Sequence, residues 1–167
     1  GFGFLDEVRW VPDGSFAQWQ EQHFSQQEIL DPTIAGFHAD PDKDGLSNGL
    51  EAVLAIDPRN GSGENGKANA PRGVFTGSGP GSRLAMSFIL PISSLIDIRL
   101  RAQASEDLMP TGWTTIAEKI GQGSWTGIAT VTETPLTGDR ILVVIEDPQP
   151  FVGNPKRFLR LIAEEIE

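Results

Sequence analysis

The chain contains no cysteine. That excludes disulfides, thiolate metal sites and cysteine nucleophiles, and it leaves the compartment open. Histidine is nearly as scarce, and His23 and His38 alone are too few for the common zinc sites. Only Met86 and Met109 are present, so the Met-rich groove of a calcium sensor is not expected. No run of about 18 apolar residues occurs, and no transmembrane helix is expected. Basic residues are few, with 13 Lys and Arg against 23 Asp and Glu, a net charge of −10 and a pI near 4.6. Nucleic acids and anionic membranes need basic patches. No nucleic-acid partner and no membrane insertion are therefore expected. No Gly-x-Ser-x-Gly, His-Glu-x-x-His or Cys/His set occurs either, and the chain is not expected to be an enzyme.

The acidity that is present is unevenly placed. Residues 1–60 hold eleven carboxylates against Arg9, Lys43 and Arg59. Such a segment repels itself unless a cation enters it. Within it lies Asp40-Pro-Asp42-Lys-Asp44-Gly45-Leu46-Ser-Asn48-Gly-Leu-Glu51. This run matches the twelve-residue EF-hand loop at every side-chain position. Asp40, Asp42 and Asp44 stand at positions 1, 3 and 5, and Gly45 at the sharp turn. Leu46 offers its backbone carbonyl, Asn48 ligates directly or through water, and Glu51 brings two oxygens. Calcium takes 6–8 hard oxygen ligands, and alternate residues of a tight loop point inward. The expected cofactor is Ca2+. His38 is not expected to be a ligand, because imidazole is softer than calcium prefers.

Helix signals surround the loop. Ser15 with Gln18, and Ser25 with Glu28, fit capping boxes. Phe16, Trp19 and His23 share one helical face. Asp31-Pro32 is expected to stop the second helix, and residues 31–39 make a poor entering helix. A short helix is expected over 49–56, ended by Asp57-Pro58. Residues 59–82 hold seven glycines and are expected to be a linker or a long surface loop. They include the sequon Asn60-Gly61-Ser62. They also include a near P-loop, Gly61 to Ala68, that lacks the final Ser or Thr.

From residue 83 the apolar period is two. Leu84, Met86, Phe88 and Leu90 alternate, as do Ile96, Ile98, Leu100, Ala102 and Ala104. Further strands are expected over 113–117, 126–134, 141–145 and 157–163, with turn signals between them. At least six strands without a helical stretch suggest an antiparallel sandwich. The expected fold class is α+β, mainly β. It comprises a small N-terminal helical calcium-loop module (1–58), the Gly-rich stretch (59–82) and a C-terminal antiparallel β-sandwich (83–167).

The loop, followed by Ala55-Ile56-Asp57-Pro58, resembles the single calcium loops of large secreted bacterial proteins, akin to dockerin and thrombospondin type 3 loops. There the loop often precedes a β-domain with a segment like Ala104-Ser105-Glu-Asp-Leu108 and a nearby Trp113. That domain ends in a strand similar to Lys156-Arg157-Phe158-Leu159-Arg160-Leu161. The resemblance implies export, a calcium-rigidified structure and a place at the cell surface or outside the cell. The chain holds one such loop, whereas dockerins hold two and thrombospondin-type loops come in arrays.

Two function classes stand open. The first is an extracellular structural protein that assembles with copies of itself into a filament or tube. The strand-like, aromatic N-terminus, with Phe2 and Phe4, would add to a neighbour's sheet edge. The second is a carbohydrate-binding or adhesion module whose glycan would meet Trp113 and Trp125. Trp125 sits in the loop-like Gly123-Ser-Trp-Thr-Gly127, and both tryptophans also suit a sandwich core.

Overall fold

The computed structural model describes residues 13–61, 63–93, 95–153 and 156–166. Phe2 and Phe4 lie outside these residues. Five short helices precede or flank two four-stranded antiparallel sheets. The helices are α1 (Phe16–His23), α2 (Gln26–Ile29), α3 (Pro32–Ala35), α4 (Asn48–Leu54) and α5 (Glu64–Asn69). The strands are β1 (Arg72–Thr76), β2 (Arg83–Pro91), β3 (Ile98–Ser105), β4 (Thr114–Ile120), β5 (Thr126–Gly127), β6 (Thr130–Leu136), β7 (Arg140–Glu146) and β8 (Phe158–Glu165). One sheet runs β1-β2-β7-β6 and the other β5-β4-β3-β8. Among the described residues no helix is long and apolar enough to cross a membrane.

Alternation builds the sandwich. Met86, Phe88 and Leu90 face inward beside Ile145, Val143 and Ile141. Ile98, Leu100, Ala102 and Ala104 do the same in the other sheet, beside Leu161 and Ala163. Intervening positions such as Arg99 and Arg101 face outward, where Arg101 bonds Glu118 and Glu164 at 2.7 and 3.0 Å. Burying such alternating faces is the main stabilising term, about 25 cal/mol per Å2 of apolar surface. A buried ion pair ties β8 to the end of β7. Arg157 reaches both oxygens of Asp147 at 2.7 Å, and Asp147 is 1% exposed.

The helices form one small aromatic core. Ser15 caps α1 by accepting from the Gln18 backbone. The Gln18 amide reaches past the cap to accept from Gly14. The second cap is a complete box, with Ser25 and Glu28 bonding reciprocally. Asp31-Pro32 opens α3 rather than only closing α2. Asp31 accepts from Thr33, and proline at a helix's first position gives up no hydrogen bond. Phe16 stacks on Trp19 at 5.4 Å and meets Phe37 edge-on at 4.9 Å. His23 lies against Trp19 at 4.8 Å.

The helical layer is continuous with the sandwich. Helix α4 packs against both β2 and β8. Every residue of α4 is buried, and Leu54 and Ile56 are at or near zero exposure. Residues 59–82, expected as a linker or long loop, carry α5 and β1. A Cβ on Gly66 would stand 1.8 Å from the Gly61 carbonyl oxygen, an approach that only glycine allows, and the Asn69 amide anchors the stretch by donating to the Leu54 carbonyl at 2.7 Å. The 126–134 segment, expected as one strand, is divided. Residues 128 and 129 carry the chain from β5 in one sheet to β6 in the other.

Candidate metal centre

The loop before α4 folds on itself through its own carboxylates. Asp40 accepts from the Asp44 and Gly45 backbones at 3.2 and 3.0 Å. Asp44 accepts from Leu46 at 2.8 Å. The chain turns with positive φ at Lys43 (60°) and Gly45 (94°), and only the second position is eased by glycine. One carboxylate oxygen each from Asp40, Asp42 and Asp44 lies within 4.8 Å of the others. Burial pushes the Asp44 carboxyl up, and the charges of Asp42 and Asp40 push it the same way.

Asn48 and Glu51 enter from α4, capped by Ser47. Both are at 0% exposure. The Asn48 amide donates to the Ile34 and Gly36 carbonyls at 2.8 and 2.9 Å. That bond pair ties α4 to the end of α3, and it leaves the Asn48 Oδ1 buried without a donor. Glu51 is the sharper case. Both carboxylate oxygens are buried with no hydrogen-bond partner. Desolvation, then the charges of Asp42, Asp44 and Asp40, push its pKa up to about 9. A buried carboxylate without a partner is costly. A hard cation held between Glu51 and the three aspartates would remove that cost.

Of the expected ligands, the structure brings the three aspartates together, places Glu51 in their field and sets Leu46 in the same loop. Asn48 serves first as a strut. A residue outside the twelve-position pattern completes the enclosure. The Gly61 backbone donates to Asp42 at 2.7 Å. A Cβ built on Gly61 would stand 1.5 Å from Asp44 Oδ2. No local signal marks this contact, because it joins segments 19 residues apart. Another contact of the same kind lies inside the loop's exit helix. A Cβ on Gly49 would stand 2.3 Å from the Phe37 ring.

The two tryptophans are not brought together. Trp113 lines a cavity of about 360 Å3 on the side where β1 and β8 run, and the Arg160 guanidinium covers its ring at 4.1 Å. Trp125 lines a separate cleft of about 630 Å3 on the β5 and β6 side. It meets Phe88 edge-on at 6.2 Å, and its indole Nε1 is buried without an acceptor.

Comparison with known proteins finds no matching family model, no matching curated protein and no matching solved structure.

Proposed function

We propose that the chain is an extracellular calcium-binding structural protein in which one Ca2+ fastens the helical module to the sandwich. The observation that carries this reading is Glu51, a carboxylate removed from water with both oxygens unpartnered beside three aspartates. Asp40, Asp42, Asp44 and Glu51 would hold the ion, with the Leu46 carbonyl. All are hard oxygen donors, which favours calcium over softer-ligand metals. The ion supplies positive charge and loop closure, not catalysis. Because Glu51 belongs to α4, and α4 packs on β2 and β8, closing the loop braces the whole chain.

Self-association is part of the same proposal. Strand β1, which among the described residues pairs only with β2, and the aromatic residues Phe2 and Phe4 suit addition of one copy's terminal strand to another copy's sheet. Exported calcium-braced subunits of a filament or tube would have this construction.

Thermal unfolding in millimolar calcium and in excess EGTA tests the brace. A ligand at about a hundred times its Kd stabilises by about 2.7 kcal/mol. For a chain of this length that corresponds to roughly 5–10 °C in Tm. Calcium should raise Tm by that amount, magnesium should raise it less, and Asp40→Ala should abolish the rise. An unchanged Tm in EGTA would overturn the proposal.

A further inference from the structure

We infer that the cleft around Trp125 is a binding site for a neutral carbohydrate. The site lies on the opposite side of the sandwich from the α4 brace and is independent of calcium ligation. The cleft is the open mouth between the two sheets, where β5 edges one and β6 edges the other. Its volume of about 630 Å3 falls within the range of small-ligand sites, roughly 300–1,000 Å3.

The strand register places unusual residues on its walls. Glu133 pairs with Val143, and Val131 with Ile145. Val143 and Ile145 are fully buried, so Glu133 sits on the core-facing side of β6. Lys119 pairs with Leu100, which is also buried, and so sits on the core-facing side of β4. Both line the cleft with Trp125, Ser124, Val131 and Ile141. A core face ordinarily excludes charge. Here an acid and a base stand on the inner faces of the two sheets, above an indole and aliphatic side chains.

That combination selects a ligand class. The aromatic and aliphatic surface suits the C–H face of a pyranose ring. Glu133 accepts hydrogen bonds, Lys119 donates them and Ser124 does both, as a set of hydroxyls requires. One acid and one base leave no net local charge, and the chain's −10 disfavours an acidic glycan. Trp125 is also unlike a settled core indole, which ordinarily finds an acceptor for its N–H. Apolar surface remains at the rim, where Ile92 is 55% exposed and the neighbouring Ile128 is 69% exposed.

An inward charge on an edge strand can also serve only to discourage aggregation, and the experiment separates the two roles. The full chain, in calcium, is applied to an array of neutral and acidic oligosaccharides. Cellotetraose, laminaritetraose, maltotetraose and chitotetraose are then titrated by tryptophan fluorescence and calorimetry. At least one neutral oligosaccharide should bind, and acidic ones should bind more weakly. Glu133→Ala should weaken binding roughly tenfold or more, the loss of one charge-assisted contact, and Trp125→Phe should weaken it by a similar factor through lost stacking area and the lost indole N–H. Trp113→Phe, outside the cleft, should leave it unchanged. Glu133 is exposed, so that variant keeps the fold, which an unchanged Tm verifies. The inference is overturned if no neutral oligosaccharide binds at millimolar concentration. It is equally overturned if binding survives both cleft variants. Either failure leaves the calcium brace standing, because that brace is read from Tm.

Discussion

Glu51 sets two opposing demands on one side chain. Its folded pKa stands near 9 against an ordinary 4.5 when no cation is counted. A raised folded pKa contributes stability below the unfolded value and loses it as pH climbs through the folded one. In chelator, the Tm of the native chain should therefore fall between about pH 4.5 and pH 9 relative to that of Glu51→Gln, which has no carboxylate to ionise. In calcium the order reverses, because the ion takes the carboxylate and releases the proton. Glu51→Gln should then bind calcium about tenfold or more weakly. Calorimetry and a pH series of melts in EGTA check both halves. Parallel pH curves for the two chains would show that Glu51 is not held as described. Gly61→Ala should act on affinity alone. Its Cβ would push the exposed Asp44 side chain aside and away from its bond to the Leu46 backbone. Calcium affinity should drop while Tm in EGTA stays within about 0.5 kcal/mol of the native value, as for other surface changes. The clustering of Asp40, Asp42 and Asp44 was legible in the sequence, because a tight loop turns alternate side chains inward by local spacing. Gly61 was not, because its hydrogen-bond partner is Asp42, 19 residues away, and spacing carries no trace of that.

At the scale of elements, α4 joins the loop to the sandwich, and its fit depends on Gly49. The Phe37 ring lies over that glycine and is itself 4% exposed, wedged against Phe16. A methyl group at 49 meets a ring that cannot yield. Gly49→Ala should cost about 1–3 kcal/mol, the usual range for overpacking, in calcium and EGTA alike. Urea unfolding under both conditions checks it, and a loss confined to calcium would place the strain in the loop instead. The same scale explains what the sequence did and did not disclose. The strands of the sandwich were legible because one face is buried and one wet, which writes a period of two into Met86, Phe88 and Leu90. The α5–β1 stretch was not legible. Its order comes from distant anchors, the Asn69 amide on the Leu54 carbonyl and the β1 pairing with β2. Glycine-rich composition signals only a lack of local preference. The cleft was hidden for a related reason. Trp125 stands out in the sequence, but Glu133 and Lys119 become wall residues only through register.

At the scale of the whole molecule, the described residues present four sheet edges, and they are unequally protected. Strand β5 has two residues, too few to template another strand. Strand β6 carries Pro135 and the inward Glu133, both of which discourage edge pairing. Strand β8 has α4 packed on it. Strand β1 has none of these guards. It pairs only with β2 among the described residues, and its Phe75 is 62% exposed. An added strand from a second copy therefore has one favourable edge, β1. Charge opposes that meeting, since each copy carries −10. The proposed Ca2+, one per copy, would reduce the repulsion, and salt screens the rest over a Debye length of about 10 Å at 0.1 M. Association through backbone pairing and aromatic contacts should then grow with calcium and with ionic strength, whereas association through ion pairs would weaken as salt rises. Sedimentation velocity across a salt series, in calcium and in EGTA, distinguishes these. Deleting residues 1–5, which removes Phe2 and Phe4, should leave a monomer with the native Tm. Phe75→Lys should do the same from the acceptor side, by placing a charge on the open edge. If the deletion leaves the association unchanged, the terminal strand is not the donor. If the native chain stays monomeric in calcium and high salt, the self-assembling half of the proposal fails while the brace does not.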